Sequence, residues 1–269
     1  MPAALRLIHP APAFAVVLLS AALGAILSAQ SGLPIGERWA LTVLAIAGSQ
    51  VFTGATNDVA DRGRDAAARP EKPLPAGDLS LNAATWIASI GLAVMLVASW
   101  RTGALALALG GVATASALAY NLYLSRTPLS PVPYLVSFGL LPAWIAAGIG
   151  IPMERILPAI PLVAPFAMAA HLANTLRDFE ADAAGGSRSL AQVLGATASM
   201  RLAAGLALGV GLGVGAALLI GGRATPPVIA LGAFGLAAVA QGLAGPRRLW
   251  YGVLVAAVCW TAAWALSSA

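Results

Sequence analysis

The sequence predicts an all-α, polytopic membrane protein: nine transmembrane helices in a single bundle, with two Asp-rich loops on the cytoplasmic side. Three observations carry this. Of 269 residues, 59% are hydrophobic and only 9% charged, and mean hydropathy is +0.86. Apolar runs of about 20 residues, the length that spans a bilayer as a helix, recur along the whole chain. Eight of the ten acidic residues fall into two short stretches. A soluble fold of this size needs far more surface charge.

The first apolar run, about 11–29, follows Arg6 and has the outline of a signal peptide. Its length suits a full span, no small-residue cleavage site follows it, and further spans come after; it reads as helix 1. The remaining runs fall at about 39–56, 81–100, 102–120, 131–150, 156–175, 197–221, 225–243 and 248–267. Turn residues punctuate them: Pro34 with Gly36, Pro128 with Pro131, and Pro226-Pro227. Asp78 and Ser80 are candidate N-caps for the third span. The whole chain, 1–269, reads as a single transmembrane domain. Within it lies a weak four-helix repeat, about 11–120 and 131–243, plus a final helix at 248–267. Gly205, Gly209 and Gly213 form a repeated G-x-x-x-G, expected to serve close helix packing inside the monomer. Tryptophans such as Trp86 and Trp100, near span ends, are expected to be interfacial anchors.

Nine spans put the N-terminus and the even-numbered connections on one side. Eleven of the fifteen basic residues lie there; Arg38, Arg101, Arg155 and Arg223 lie opposite. The positive-inside rule makes the N-terminus and both acidic loops cytoplasmic, in a plasma (inner) membrane. The net charge of +5 therefore reflects orientation in a lipid bilayer, not nucleic-acid binding. Cys259 is the only cysteine, which excludes an intrachain disulfide.

The acidic stretches carry the chemistry. The first is Asn57-Asp58-Val59-Ala60-Asp61-Arg62-Gly63-Arg64-Asp65. If helical, Asn57, Asp61 and Asp65 recur every fourth residue and share one face, where like charges repel. A divalent cation relieves that repulsion, and an all-oxygen donor set points to Mg2+. The second is Asn174-Thr175-Leu176-Arg177-Asp178-Phe179-Glu180-Ala181-Asp182, followed by Gly185-Gly186, with Asn174, Asp178 and Asp182 at the same spacing. Two such faces opposed across a bundle can hold Mg2+ ions that neutralise a departing diphosphate. Arg62, Arg64, Arg69, Lys72, Arg177 and Arg188 are interleaved with the acids. Charged mouths of this kind on an apolar helical cavity suit a lipid diphosphate.

With these motifs the chain resembles the UbiA superfamily of intramembrane prenyltransferases. Asn57, Asp58, Asp61 and Asp65 match its N-D-x-x-D-x-x-x-D pattern. Arg69-Pro70-Glu71-Lys72-Pro73-Leu74-Pro75-Ala76-Gly77 is similar to the R-P-x-[RK]-P-L-x-x-G that follows. Asp178 and Asp182 match D-x-x-x-D, with Gly185 after it. The resemblance implies Mg2+-dependent ionisation of an allylic isoprenyl diphosphate, C10–C20 or longer, and transfer of the prenyl group to an aromatic or lipid acceptor. It implies Asn57, Asp61, Asp65, Asp178 and Asp182 as metal ligands, with Asp58 a supporting carboxylate in the same metal set. Lys72, Arg64, Tyr120, Asn121, Arg126 and Asn174 would contact the diphosphate, and His171 and Glu180 are further candidates. One departure stands out. The family often places a lysine four or five residues after the tyrosine, where this chain has Leu124 and Ser125, with Arg126 next. Arginine differs from lysine in reach and geometry.

Two rivals remain in the sequence. A terpene cyclase on the same scaffold would ionise the same donor and let its own double bonds attack. A cation or lipid transporter would place charges near the bilayer midplane on interrupted helices, whereas these acids sit at span ends.

Overall fold

Helix formation follows the apolar runs closely. The computed structural model describes residues 1–267, and among these there is no strand. The helices are α1 (Ala3–Leu7), α2 (Pro10–Gln30), α3 (Glu37–Ala68), α4 (Leu81–Thr102), α5 (Ala104–Leu122) and α6 (Pro131–Ile149). They continue with α7 (Ile160–Thr175), α8 (Phe179–Ala184), α9 (Leu190–Leu194), α10 (Ala196–Ile220), α11 (Pro226–Gly242) and α12 (Pro246–Leu266).

Among the described residues, seven helices are long and apolar enough to cross a membrane: α2, α3, α4, α5, α6, α10 and α12. The other two expected spans are shorter. α7 has 16 residues and α11 has 17, or about 24–26 Å at ~1.5 Å per residue against a hydrocarbon thickness of ~30 Å. A 3-10 turn over Leu157–Ala159 takes up the start of the expected sixth span, and another, Met153–Arg155, lies just before it.

α3 departs in the opposite direction. Its 32 residues extend over about 48 Å, so about a third of it projects beyond a ~30 Å hydrocarbon layer. The first acidic motif is therefore the projecting end of a helix and not a loop. Pro70 ends that helix: proline lacks an N–H and biases the residue before it to extended backbone. Arg69 adopts φ −144 accordingly.

The chain forms two compact units, Met1–Tyr123 with Leu140–Leu157, and Leu124–Gly139 with Pro158–Ala269. In the first, α3 packs on α4 through facing glycines. A Cβ on Gly48 would lie 2.7 Å from the Gly91 carbonyl oxygen, and one on Gly91 2.8 Å from that of Gly48. Buried Ser49 and Thr114 hydrogen-bond between α3 and α5 at 2.9 Å. Near the start of α3, Arg38 donates to the Thr102 carbonyl at 2.7 Å, and Arg101 pairs with Glu37 at 2.8 Å. Near its other end, α1 is drawn in by Leu7, fully buried with Phe52, Ala55, Ala84 and Ala88.

The second unit is built around α7, α10, α11 and α12. Trp260, 6% exposed, lies where Gly211 of α10 and Gly235 of α11 leave room for its ring. It donates to the Gly232 carbonyl at 3.3 Å and meets Phe166 edge-on at 5.5 Å. The glycine stripe expected to pack helices does not do so. Among the described residues nothing lies within 4 Å of a Cβ at Gly205 or Gly209, and Gly213 meets only Leu162 at 3.4 Å. Gly211, outside that stripe, makes the close contact because the buried face of α10 runs through Ala203, Ala204, Ala207, Val210 and Gly211. Trp86 and Trp100 are exposed, as expected of anchors, whereas Trp144 is buried.

These contacts predict opposite signs for one substitution type. Gly48→Ala forces a methyl into backbone and should cost about 1–3 kcal/mol, the range for overpacking. Gly205→Ala, in open space mid-helix, should stabilise by about 0.5–1 kcal/mol. Thermal denaturation of the detergent-solubilised variants measures both.

Candidate active site

The first acidic motif keeps α-helical geometry throughout, since α3 continues to Ala68. Asn57, Asp61 and Asp65 thus share one helix face, and Asp58, two turns before Asp65, lies at its edge beside Asp65. Asp58 is 2% exposed, and its Oδ1 accepts from His9 Nε2 at 2.9 Å and from Lys72 Nζ at 2.9 Å. Lys72 also donates to Asp65 Oδ2 at 2.8 Å. Arg64 pairs with Asp61 one turn away.

Lys72 returns to α3 because the chain after Pro70 folds back in successive turns. The Lys72 N–H donates to the Arg69 carbonyl at 3.1 Å, Ala76 to Lys72 at 2.9 Å, and Leu79 to Pro73 at 3.1 Å. Arg6 clamps this segment from the N-terminal side, donating to the Glu71 carbonyl at 3.2 Å and pairing with Asp78. Asp78, expected as a cap, serves this ion pair, and Ser80 caps α4 by accepting from the Ala83 N–H at 3.1 Å.

Asn121, 4% exposed, braces the same stretch of α3. Its amide donates to the Thr53 carbonyl at 2.8 Å and to Thr56 Oγ1 at 3.0 Å, and its oxygen accepts from Asn57 at 3.4 Å. Tyr120, half-buried, precedes it on α5. Asn57, Asp58, Asp61, Arg64, Asp65, Lys72, Tyr120 and Asn121 all belong to the first unit.

The second motif is less regular. Asn174 lies in the last turn of α7, Asp178 closes a 3-10 turn over Leu176–Asp178, and Asp182 lies on the short α8. The expected single helical face is therefore interrupted, because a 3-10 turn winds at about three residues per turn, not 3.6. Gly186 ends the segment at φ +71, a left-handed conformation that suits glycine, and the Ser187 N–H donates to the Asp182 carbonyl at 2.9 Å. Arg126 is joined to this region through its carbonyl, which accepts from the Arg188 N–H at 3.0 Å. Glu180 is exposed on α8. Arg177 stacks 5.1 Å from the Trp250 ring.

His171 is fully buried. Its Nε2 lies 3.1 Å from Ser130 Oγ, and its ring is 4.5 Å from that of Tyr134. Ser130 in turn accepts from the Leu190 N–H at 3.3 Å. These contacts tie α7 to the residue before α6 and to the start of α9.

The donor chemistry of both motifs is carboxylate and carboxamide oxygen, the set that suits a hard cation such as Mg2+. Soft ligands are elsewhere: Cys259 is buried in α12. Among the described residues no three His, Cys, Asp or Glu side chains converge as a metal-holding group; the first-motif acids are held by Lys72 and Arg64. Sequence reading missed His9 and the clamp role of Arg6. The available signal was that Arg6 and His9 flank Leu7-Ile8 directly before Pro10, the first residue of a span.

Fold and site together define an integral membrane protein whose acidic side chains gather in two oxygen-donor motifs interleaved with basic residues. The chain belongs to the UbiA prenyltransferase family, whose model matches residues 17–248. A digeranylgeranylglyceryl phosphate synthase from Methanoculleus marisnigri is 33% identical over 160 residues. That match covers 58% of this chain and 55% of the relative, little more than half its length. Among solved structures, a UbiA homologue from Aeropyrum pernix aligns with TM-score 0.72 and 17% identity, covering 92% of this chain and 96% of that one. A UbiA homologue from Archaeoglobus fulgidus, solved bound to GPP and Mg2+, aligns with TM-score 0.69 and 15% identity over 99% and 100%. These likenesses establish the fold.

The geometry predicts unequal costs for two basic side chains. Lys72→Met takes the lysine from largely buried Asp65 and leaves Asp58 with His9 alone, and should cost on the order of 3 kcal/mol. Arg64→Met, at a more exposed pair, should cost less than about 1 kcal/mol. Chemical denaturation of the two proteins in detergent compares them.

Proposed function

We propose that this protein is a Mg2+-dependent intramembrane prenyltransferase, with the whole chain acting as one domain. It would ionise an allylic isoprenyl diphosphate, C10–C20 or longer, and transfer the prenyl group to a hydrophobic acceptor, aromatic or lipid. One observation carries the reading above all: Asn57, Asp61 and Asp65 share a face of the projecting end of α3, and Lys72, the only lysine in the chain, is folded back onto it. The Methanoculleus marisnigri relative named for digeranylgeranylglyceryl phosphate supports a lipid acceptor, and the neighbour bound to GPP and Mg2+ supports donor and metal.

Asn57, Asp61, Asp65, Asp178 and Asp182 would hold Mg2+, with Asp58 as supporting carboxylate. Bound Mg2+ supplies positive charge to the departing diphosphate. Lys72 and Arg64 bind diphosphate oxygens of the donor, with Asn174, Tyr120 and Arg126 as further contacts, and Asn121 holds Asn57 in place. The allylic C–O bond breaks and its electron pair leaves with the diphosphate. The apolar spans exclude water from the allylic cation, so the acceptor nucleophile forms the new bond and then loses its proton. His171, enclosed by Ser130 and Tyr134, acts as a packing residue in this scheme.

The experiment is to incubate purified protein with Mg2+ and C10 to C20 prenyl diphosphates, and to measure diphosphate release and products. Asp61→Asn and Asp182→Asn should each cut release by a factor on the order of 100 or more, as loss of metal-assisted leaving-group stabilisation. Near-normal turnover from either variant would sink the two-motif reading. Sustained turnover of donor alone to a cyclic product would replace transfer by cyclisation.

The charge asymmetry supports a plasma (inner) membrane with the N-terminus and active site facing the cytoplasm. Cysteines placed at Ser187 and Thr225, in a Cys259→Ala background, should react with an impermeant thiol reagent from opposite sides of the membrane. Labelling of position 187 from outside intact cells would reverse the orientation.

A further inference from the structure

We propose that His9 is a positioning residue for diphosphate binding: it keeps Asp58 satisfied when Lys72 turns from Asp58 toward the substrate. The inference rests on the prenyltransferase reading above for the identity of the anion, and on geometry for the rest. Asp58 is 2% exposed, so its carboxylate depends on protein donors, and a buried charge left without a partner is strongly destabilising. Two nitrogens serve the same oxygen, His9 Nε2 and Lys72 Nζ, each at 2.9 Å. A carboxylate only accepts, so Nε2 carries the proton in this contact. With Lys72 as the sole partner, its departure would strand Asp58. With His9 in place, one donor remains.

His9 is also held in an unusual way. Among the described residues it is the one non-glycine with positive φ, at +50, although it precedes Pro10, where extended backbone is the norm. A left-handed non-glycine conformation persists only where its surroundings over-determine it. Here Leu7 is fully buried, and Arg6 pairs with Asp78. The Ile8 backbone lies so close to Gly54 that a Cβ there would be 2.8 Å from Ile8 Cα. The N-terminal segment is thereby fastened to α3 one turn before Asp58, and its strained residue delivers the imidazole. Lys72 suits the mobile role, because a flexible stem carrying a point charge can exchange partners where a planar guanidinium fork is geometrically committed.

Lys72 being the only lysine, its state can be read without substrate. Acetylation by an amine-reactive ester, followed on the peptide containing Lys72 and separate from the N-terminal amine, reports how often the side chain is released. In His9→Ala, Asp58 keeps only Lys72, so acetylation should slow by about fivefold as the released population falls. Binding of Mg2+ with inorganic pyrophosphate should weaken by about tenfold, the scale of one charge-assisted hydrogen bond. His9→Gln, which retains an N–H donor, should restore both, and in an Asp58→Asn background removing His9 should change neither. A merely structural role gives the opposite sign: a loosened N-terminal segment would expose Lys72 and speed its acetylation. Faster or unchanged acetylation in His9→Ala would overturn the proposal. Failure of the wild-type protein to bind pyrophosphate with Mg2+ would overturn the diphosphate half and the prenyltransferase reading with it, while the acetylation arm still decides whether His9 governs release of Lys72.

Discussion

A buried carboxylate at the end of a membrane-spanning helix must be matched by donors from other parts of the chain, and Asp58 imposes that condition on the whole charged end of the first unit. Its partners come from far apart in sequence. His9 precedes α2, and Lys72 lies beyond the end of α3. Bringing both to one oxygen requires α1 to fold down onto α3, and the segment after Pro70 to double back. The ion pair of Arg6 with Asp78 and the burial of Leu7 hold those two movements in place. Asp65 is then joined to the same lysine, so the supporting acid and a proposed metal ligand respond to one side chain.

Helix length is the second constraint. α3 outruns a bilayer, and its excess is where the polar chemistry is found: Asn57 to Asp65 occupy the part of the helix that need not meet lipid. A rigid helix holds side chains in more regular register than a loop, which suits the proposal that these acids share a cation. The second motif is built differently, across a 3-10 turn and a short helix that ends at Gly186. Its side chains are therefore set by local turns and by contacts such as that of Gln192 with the Phe179 carbonyl at 2.7 Å. The two motifs share a spacing in sequence without sharing a backbone conformation.

Small residues make the packing possible. Gly48 against Gly91, and Gly211 and Gly235 around Trp260, bring backbone or a large ring into direct contact, so these elements gain dispersion contacts where lipid offers no hydrophobic drive toward association. The G-x-x-x-G pattern of α10 shows the limit of motif reading. The spacing was present at Gly205, Gly209 and Gly213, but which stripe of a helix turns inward depends on its neighbours.

The sequence by itself determined the all-helical membrane class and the positions of the apolar runs, and it singled out the acids and bases proposed to carry the chemistry. Those follow from hydropathy and from i, i+4 spacing, both local properties of the chain. It reached as far as the family, through Asn57, Asp58, Asp61, Asp65, Lys72, Asp178 and Asp182. Tertiary structure alone decided where helices stop, since α3 runs past its apolar segment while α7 and α11 fall short of a full span. It also decided who partners whom. Nothing local to His9 marks it as the donor to a carboxylate 49 residues on, and nothing local to His171 marks it as enclosed by Ser130 and Tyr134. The physical reason is the same in each case: a buried polar group is satisfied by whatever the packing of distant elements brings within hydrogen-bond reach, and that packing is a property of the folded chain.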